Sequence, residues 1–206
     1  MRSGRRSAGA SRSAKVGRRM AGPDTALLII DVQRDILLGK GGPPVQAALE
    51  ATIERIAGLL DRARRRGFPV IHVQHDGALG HRLERGTPGW ELRPEVAPRG
   101  SEPVVHKRSC DAFFETKLAE ILNTQQIRRL VVTGCMTEYC VDTTCRRAVS
   151  LFRDVVLAAD GHTTGDSEGL SFQQIIAHHN RVLDGFSAGR WSIQVVPAAD
   201  IAWSIA

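Results

Sequence analysis

At 206 residues and 42% hydrophobic content, the chain can bury one sizeable core without disulfides or a structural metal, and it reads as a single domain. The formal charge of +6 does not describe that domain: Arg2, Arg5, Arg6, Arg12, Lys15, Arg18 and Arg19 all precede Met20, and the remainder nets −1. No run approaches the ~20 apolar residues of a membrane span, and Cys110, Cys135, Cys140 and Cys145 show no Cys-x-x-Cys or framework spacing, so reduced thiols are expected.

Residues 1–22 are rich in Arg, Ser, Gly and Ala and lack apolar periodicity, which predicts a disordered basic arm ahead of one domain at 23–206. No apolar stretch follows the arginines, so neither a secretory nor a twin-arginine signal is expected and the predicted location is cytoplasmic. Met20 stands just ahead of the domain as an alternative start of translation. Nucleic-acid binding through the arm is a competing reading; it predicts a salt-sensitive affinity lost with the residues before Met20, but the arm has no aromatics and no folded reader.

The domain opens on Thr25-Ala26-Leu27-Leu28-Ile29-Ile30, an apolar run predicted as a strand that ends at Asp31. A loop over 31–44, holding Gly39, Gly41, Gly42, Pro43 and Pro44, is placed to line a pocket. Ala48, Leu49, Ile53, Ile56 and Leu60 recur at helical spacing toward Arg66, with Gly67 as the stop. A second strand is predicted over 69–75, followed by a Gly/Pro/charge-rich excursion over 77–100 that would close over the active edge. Further strands are expected at 104–107, 129–133, 154–159 and 192–196, and helices at 114–123, 138–151 and 167–183. Strands alternating with such helices pair in parallel through right-handed crossovers. The expected fold is therefore α/β, three layers around a mostly parallel sheet of roughly six strands.

The segment from Val131 to Asp142 reads as a buried strand that breaks at Gly134 and turns into a helix, delivering Cys140 to its first turn. Unpaired N–H groups and the dipole there lower a thiol's pKa and can hold an oxyanion. Asp31 and Lys107 each close a predicted strand, at the edge where open parallel sheets bind ligands. Taken singly, Asp31 could cap its loop and Lys107 could be solvated. Cys135 reads as a small buried hydrophobe, and Cys145, roughly 140° around the helix from Cys140, as a packing residue. His72 and His75, three apart on a strand, point to opposite faces and cannot both chelate one ion, so neither a metal nor a cofactor is expected even with His81 nearby.

Three motifs in this order, Leu28-Ile29-Ile30-Asp31-Val32-Gln33, Lys107-Arg108-Ser109-Cys110-Asp111-Ala112-Phe113 and the run from Gly134 to Val141, make the chain similar to the isochorismatase-like cysteine hydrolases over about residues 25–197. The resemblance implies a catalytic triad of Asp31, Lys107 and Cys140, oxyanion donors in the backbone N–H groups of Met136 and Cys140, and a cis peptide between Cys135 and Met136. It implies hydrolysis of a small-molecule amide through a thioester, and a homo-oligomer. Nicotinamidases of the family hold a metal on an Asp-x-His pair that this chain lacks, and true isochorismatases lack the cysteine. The insertion and composition resemble most the members that open the lactam of streptothricin, a cationic antibiotic. The alternatives are another amidase of the family, or a non-catalytic binding member. Gln33, Ile36, Trp90, Phe113 and Tyr139 are the expected pocket lining, with Trp90 alternatively anchoring the insertion to the core or to a neighbouring subunit.

Overall fold

The computed structural model describes residues 23–203; the predicted basic arm lies outside them. The elements are β1 (Thr25–Ile30), α1 (Pro43–Arg65), β2 (Val70–His75), β3 (Val104–Lys107), α2 (Leu118–Thr124), β4 (Arg129–Cys135), α3 (Asp142–Ser150), β5 (Asp154–Thr163), α4 (Phe172–Leu183), β6 (Ser187–Ala188) and β7 (Trp191–Val196). The sheet has seven strands in the order β3-β2-β1-β4-β5-β7-β6, all parallel except β6. The strand beyond the expected six is the two-residue β6, which folds back on β7 and is too short to show a pattern.

All six residues of β1 are buried, as a central parallel strand covered on both faces requires. Leu27 and Ile29 pack toward α1 with Leu49, Ile53, Ile56 and Leu60, and Leu28 and Ile30 pack toward α2 and α3 with Leu118, Leu122, Cys145 and Ala148. α1 starts at Pro43, earlier than the loop reading allowed, because proline's fixed φ and missing N–H suit a first helical turn. Arg62, Arg64 and Arg65 stand in its last turn, where the dipole favours cations.

Two helices begin later than expected. Glu115 takes a positive φ of 54°, and the Thr116 hydroxyl donates to Ala112 O at 2.6 Å while accepting from the Leu118 N–H at 3.2 Å, so the chain turns before α2 instead of continuing as helix from residue 114. α4 starts at Phe172 because Ser171 and Gln174 form a reciprocal capping box. β5 runs four residues past its predicted end, through a register irregularity against β4 at Val132/Gly134.

Strand order reverses between β1 and β4, so the chain leaves these neighbours on opposite sides and a crevice opens at their C-terminal ends. The insertion is pinned beside that crevice. Gln33 donates to Trp90 O at 2.8 Å and to His75 O at 3.0 Å, the Arg93 N–H donates to Val32 O at 2.9 Å, and the Trp90 indole N–H donates to Asp76 Oδ1 at 2.8 Å. Among the described residues no helix is long and apolar enough to cross a membrane.

Candidate active site

Asp31 follows β1 with φ 51°, a left-handed conformation that Asp tolerates better than most residues. Its side chain is fully buried, and Oδ2 lies 2.6 Å from the Lys107 ammonium at the end of β3. Lys107 spends its other donors on Ser109 O at 3.0 Å and Cys140 Sγ at 3.1 Å, with His75 Nδ1 at 3.4 Å. Apart from the ion pair with Lys107, both Asp31 oxygens are buried acceptors with no hydrogen-bond partner among the described residues, and Cys140 is close enough to act on the carboxylate. Three chemically complementary groups from three strand ends thus meet in one buried cluster.

Cys140 sits inside a π-helical turn, Thr137–Val141, that precedes α3, and not in the first turn of a regular helix. In this wide turn Met136 O accepts from the N–H groups of Tyr139 and Val141, both at 3.2 Å, and passes over the N–H of Cys140. The peptide bond between Cys135 and Met136 is cis.

Thr137 is tied to the body of the protein through His162. The Asn180 amide donates to Ala159 O at 2.9 Å, which leaves Asn180 Oδ1 to accept from His162 Nε2 at 2.8 Å; His162 Nδ1 then accepts from the Thr137 hydroxyl at 2.8 Å. Burial drives the His162 pKa down from 6.5 to about 4, consistent with that neutral tautomer. Because the folded-state pKa is depressed, this contribution to stability is intact above about pH 6.5 and is lost as pH falls toward about 4, where the unfolded chain takes up the proton first. The loss amounts to about 3 kcal/mol by pH 4. Urea midpoints at pH 7 and pH 4.5 should therefore fall more steeply for the wild type than for His162→Gln.

Burial is the largest influence on Asp31 and, joined by negative charge at Cys140, pushes its carboxyl well above the usual carboxylate range despite Lys107. Burial works to depress Lys107, but Asp31 and Cys140 outweigh it and hold the ammonium charged. Contact with Cys110 and burial push the Cys140 thiol up, while Lys107 and Asp31 pull the other way. The expected depression by a helix dipole is thus opposed by the contact with Cys110 and by burial.

Cys110 is the other side of that contact. It is exposed, and its hydrogen bond to Cys140 brings it down to about 6. Limiting iodoacetamide should reach the two cavity thiols, Cys110 and Cys140, as peptide mass spectrometry would show. Cys135 and Cys145 are fully buried and pushed far up by burial, so they should stay unmodified.

A cavity of about 220 Å³ opens onto the cluster. Of the expected lining residues, Ile36 and Tyr139 face it. Gln33 does not, because its amide is consumed by the backbone of His75 and Trp90. Trp90 anchors the insertion through Asp76 and stacks on His106, and Phe113 is packed in the core under α3. Lys40, His81, Arg82 and Leu83 complete the walls with His75 and Met136. His72 lies on the opposite face of β2, paired with Glu102 at 3.2 Å, so the two strand histidines diverge as their spacing implies. Among the described residues no three His, Cys, Asp or Glu side chains converge as metal ligands would.

Fold and site together define an α/β protein whose buried thiol, carboxylate and ammonium meet at the switch point of a parallel sheet. Residues 25–183 match the Isochorismatase domain, and the chain belongs to the isochorismatase family. It is 41% identical over 141 residues to a streptothricin hydrolase of Streptomyces noursei, covering 68% of this chain and 50% of that enzyme. It is 32% identical over 135 residues to the maleamate amidohydrolase of Pseudomonas putida, covering 58% of this chain and 63% of that one. The crystal structure of an isochorismatase from Pseudomonas putida KT2440 matches with a TM-score of 0.75 at 32% identity, over 87% of this chain and 90% of the other. The chain thus spans about half the length of the streptothricin hydrolase it matches.

Proposed function

We propose that this protein is a metal-independent cysteine hydrolase that cleaves a C–N bond of a small-molecule amide through a thioester on Cys140. The observation that carries the reading is the buried contact of Lys107 with both Asp31 and Cys140, beside an Asp31 oxygen that has no other partner. As Cys140 Sγ attacks the carbonyl carbon, its proton passes to Asp31, whose raised pKa suits it to a base that must later act as an acid. The carbonyl oxygen becomes an oxyanion received by the backbone N–H groups of Met136 and Cys140. The C–N bond then breaks as Asp31 returns the proton to nitrogen, releasing ammonia or an amine and leaving the acyl group on sulfur. Water attacks the thioester, Asp31 takes its proton, and the thiol is restored. Lys107 holds the carboxylate and balances negative charge on the sulfur throughout.

The 41% identity to streptothricin hydrolase supports a lactam as the substrate. The small cavity, about 220 Å³ against ~300–1,000 Å³ for sites that take drug-sized ligands, supports a short open-chain amide, as does the likeness to maleamate amidohydrolase. A panel of lactams, ureas and open-chain amides assayed for amine release, before and after prolonged dialysis against a chelator, tests both parts. Activity should survive chelation; loss restored by one added divalent ion would contradict the metal-independent chemistry.

A further inference from the structure

We infer that Arg82 and Lys40 form a carboxylate-binding subsite in the cavity, so that the preferred substrate is a small amide bearing an anionic group. This rests on the reading that Cys140 opens an amide, and it narrows that reading to a substrate class.

The charge of the cavity wall is one-sided. Among the described residues the only carboxylate lining it is Asp31, which is already engaged by Lys107 at the floor. Arg82 and Lys40 are half-buried, and neither forms an ion pair with a carboxylate among the described residues. Other half-buried arginines divide: Arg64 pairs with Glu102 at 2.7 Å and Arg93 with Glu50 at 2.7 Å and Glu95 at 2.8 Å, whereas Arg62 and Arg129 face no carboxylate among the described residues; Arg82 differs from these last two in lining the reactive cavity. A guanidinium left without a counter-charge at the mouth of a reactive cavity is arranged for an anion that arrives with the ligand.

Arg82 is also held in place. Its Nε–H donates to Ile36 O at 2.9 Å, and Nη2 rests 3.6 Å from Met136 Sδ, so the planar fork is braced between the loop after β1 and the residue whose N–H faces the reacting oxygen in the proposed mechanism. Its remaining N–H groups are left for a ligand. Lys40 is fixed through its backbone, whose carbonyl accepts from the Asp166 N–H at 2.8 Å and whose N–H donates to Leu37 O at 3.0 Å. The two histidines of the wall add no opposing charge: burial brings His75 down to about 4, and His81 is shifted the same way by burial and Arg82. A cationic ligand such as the streptothricin lactam would meet two positive charges that no carboxylate lining the cavity pairs with among the described residues.

The test compares three probes of similar length, succinamate (anionic), its methyl ester (neutral) and 4-aminobutanamide (cationic). Binding to Cys140→Ala is measured by calorimetry, and ammonia release by the wild type is followed in parallel. Succinamate should bind about tenfold or more tightly than the ester, with the cationic amide weakest. Arg82→Met should erase the preference for the anion and Arg82→Lys should keep most of it; Lys40→Met, which leaves the Arg82 brace untouched, should weaken succinamate selectively. Equal binding of the three probes, or a preference that survives the Arg82→Met, Lys40→Met double variant, would overturn the subsite. The two readings fail separately: ammonia release by Cys140→Ala would contradict the nucleophile while leaving the anion preference standing.

Discussion

Replacing Cys140 with alanine should lower kcat/KM on any good substrate by about 10⁴-fold or more, while the protein folds as before. The sulfur is the atom that bonds to substrate in the proposed mechanism, and nothing else in the cavity can take its place at the same point. Lys107 and Asp31 would keep their 2.6 Å pairing in the variant, so the cluster should not collapse. Loss of a small, nearly buried side chain should cost only about 1–2 kcal/mol of stability, which separates a chemical defect from a folding defect. Cys110→Ala provides the contrast. Its thiol lines the same cavity, but Lys107 hydrogen-bonds Cys140, so Cys110→Ala should retain most of its turnover. The comparison needs steady-state rates and thermal melts of both variants; comparable loss in the two would point to a shared role for the thiols.

Gly134→Ala should be the most damaging single methyl addition in the fold. The residue has φ 124°, a conformation that L side chains rarely adopt, and a Cβ there would fall on the backbone of Ile30, the neighbouring residue on β1. Neither strand can yield, because β1 and β4 are central and buried on both faces. A cost of more than about 4 kcal/mol is expected, or about 8–16 °C in Tm, if the protein folds at all. Gly58 is the control. It lies exposed within α1 with nothing near the position of a Cβ, so Gly58→Ala should raise stability by up to about 1 kcal/mol. Thermal melts of the two variants should move in opposite directions.

Much of this architecture was legible in the sequence because burial on both faces leaves a blunt signal. The apolar run before Asp31 and the run Leu130-Val131-Val132 could hardly be anything but central strands, and the chemistry-bearing residues closed those strands or followed closely on them. Short elements were less legible: β6 is two residues long, and the late start of α2 depends on a hydroxyl of Thr116 that takes over a backbone turn. The capping box at Ser171 and Gln174 was present as a spacing signal and marks where α4 begins.

The pocket was legible only in part, for a different reason. Cavity walls come from loops whose side-chain directions depend on tertiary ties, so proximity in sequence to Asp31 placed Ile36 on the wall but turned Gln33 inward to hold the insertion. Arg82 and Lys40 carry no periodic or motif signal and come together only once the insertion is pinned beside the loop after β1. Cys110 stood three residues after Lys107, near enough to be considered, yet its contact with Cys140 depends on how the loop after β3 folds back over α3, where Thr144 Oγ1 accepts from the Ala112 N–H at 3.2 Å.

The measurement that bears most directly on the proposed chemistry is rapid-quench peptide mass spectrometry of the wild-type protein during turnover of an amide from the panel. A peptide containing Cys140 should carry the mass of the substrate's acyl group, and brief treatment with hydroxylamine should remove it, as a thioester requires. Turnover with the acyl group on Cys110, or with no acyl group on any cysteine while Cys140→Ala stays active, would contradict the assignment of Cys140 as the nucleophile.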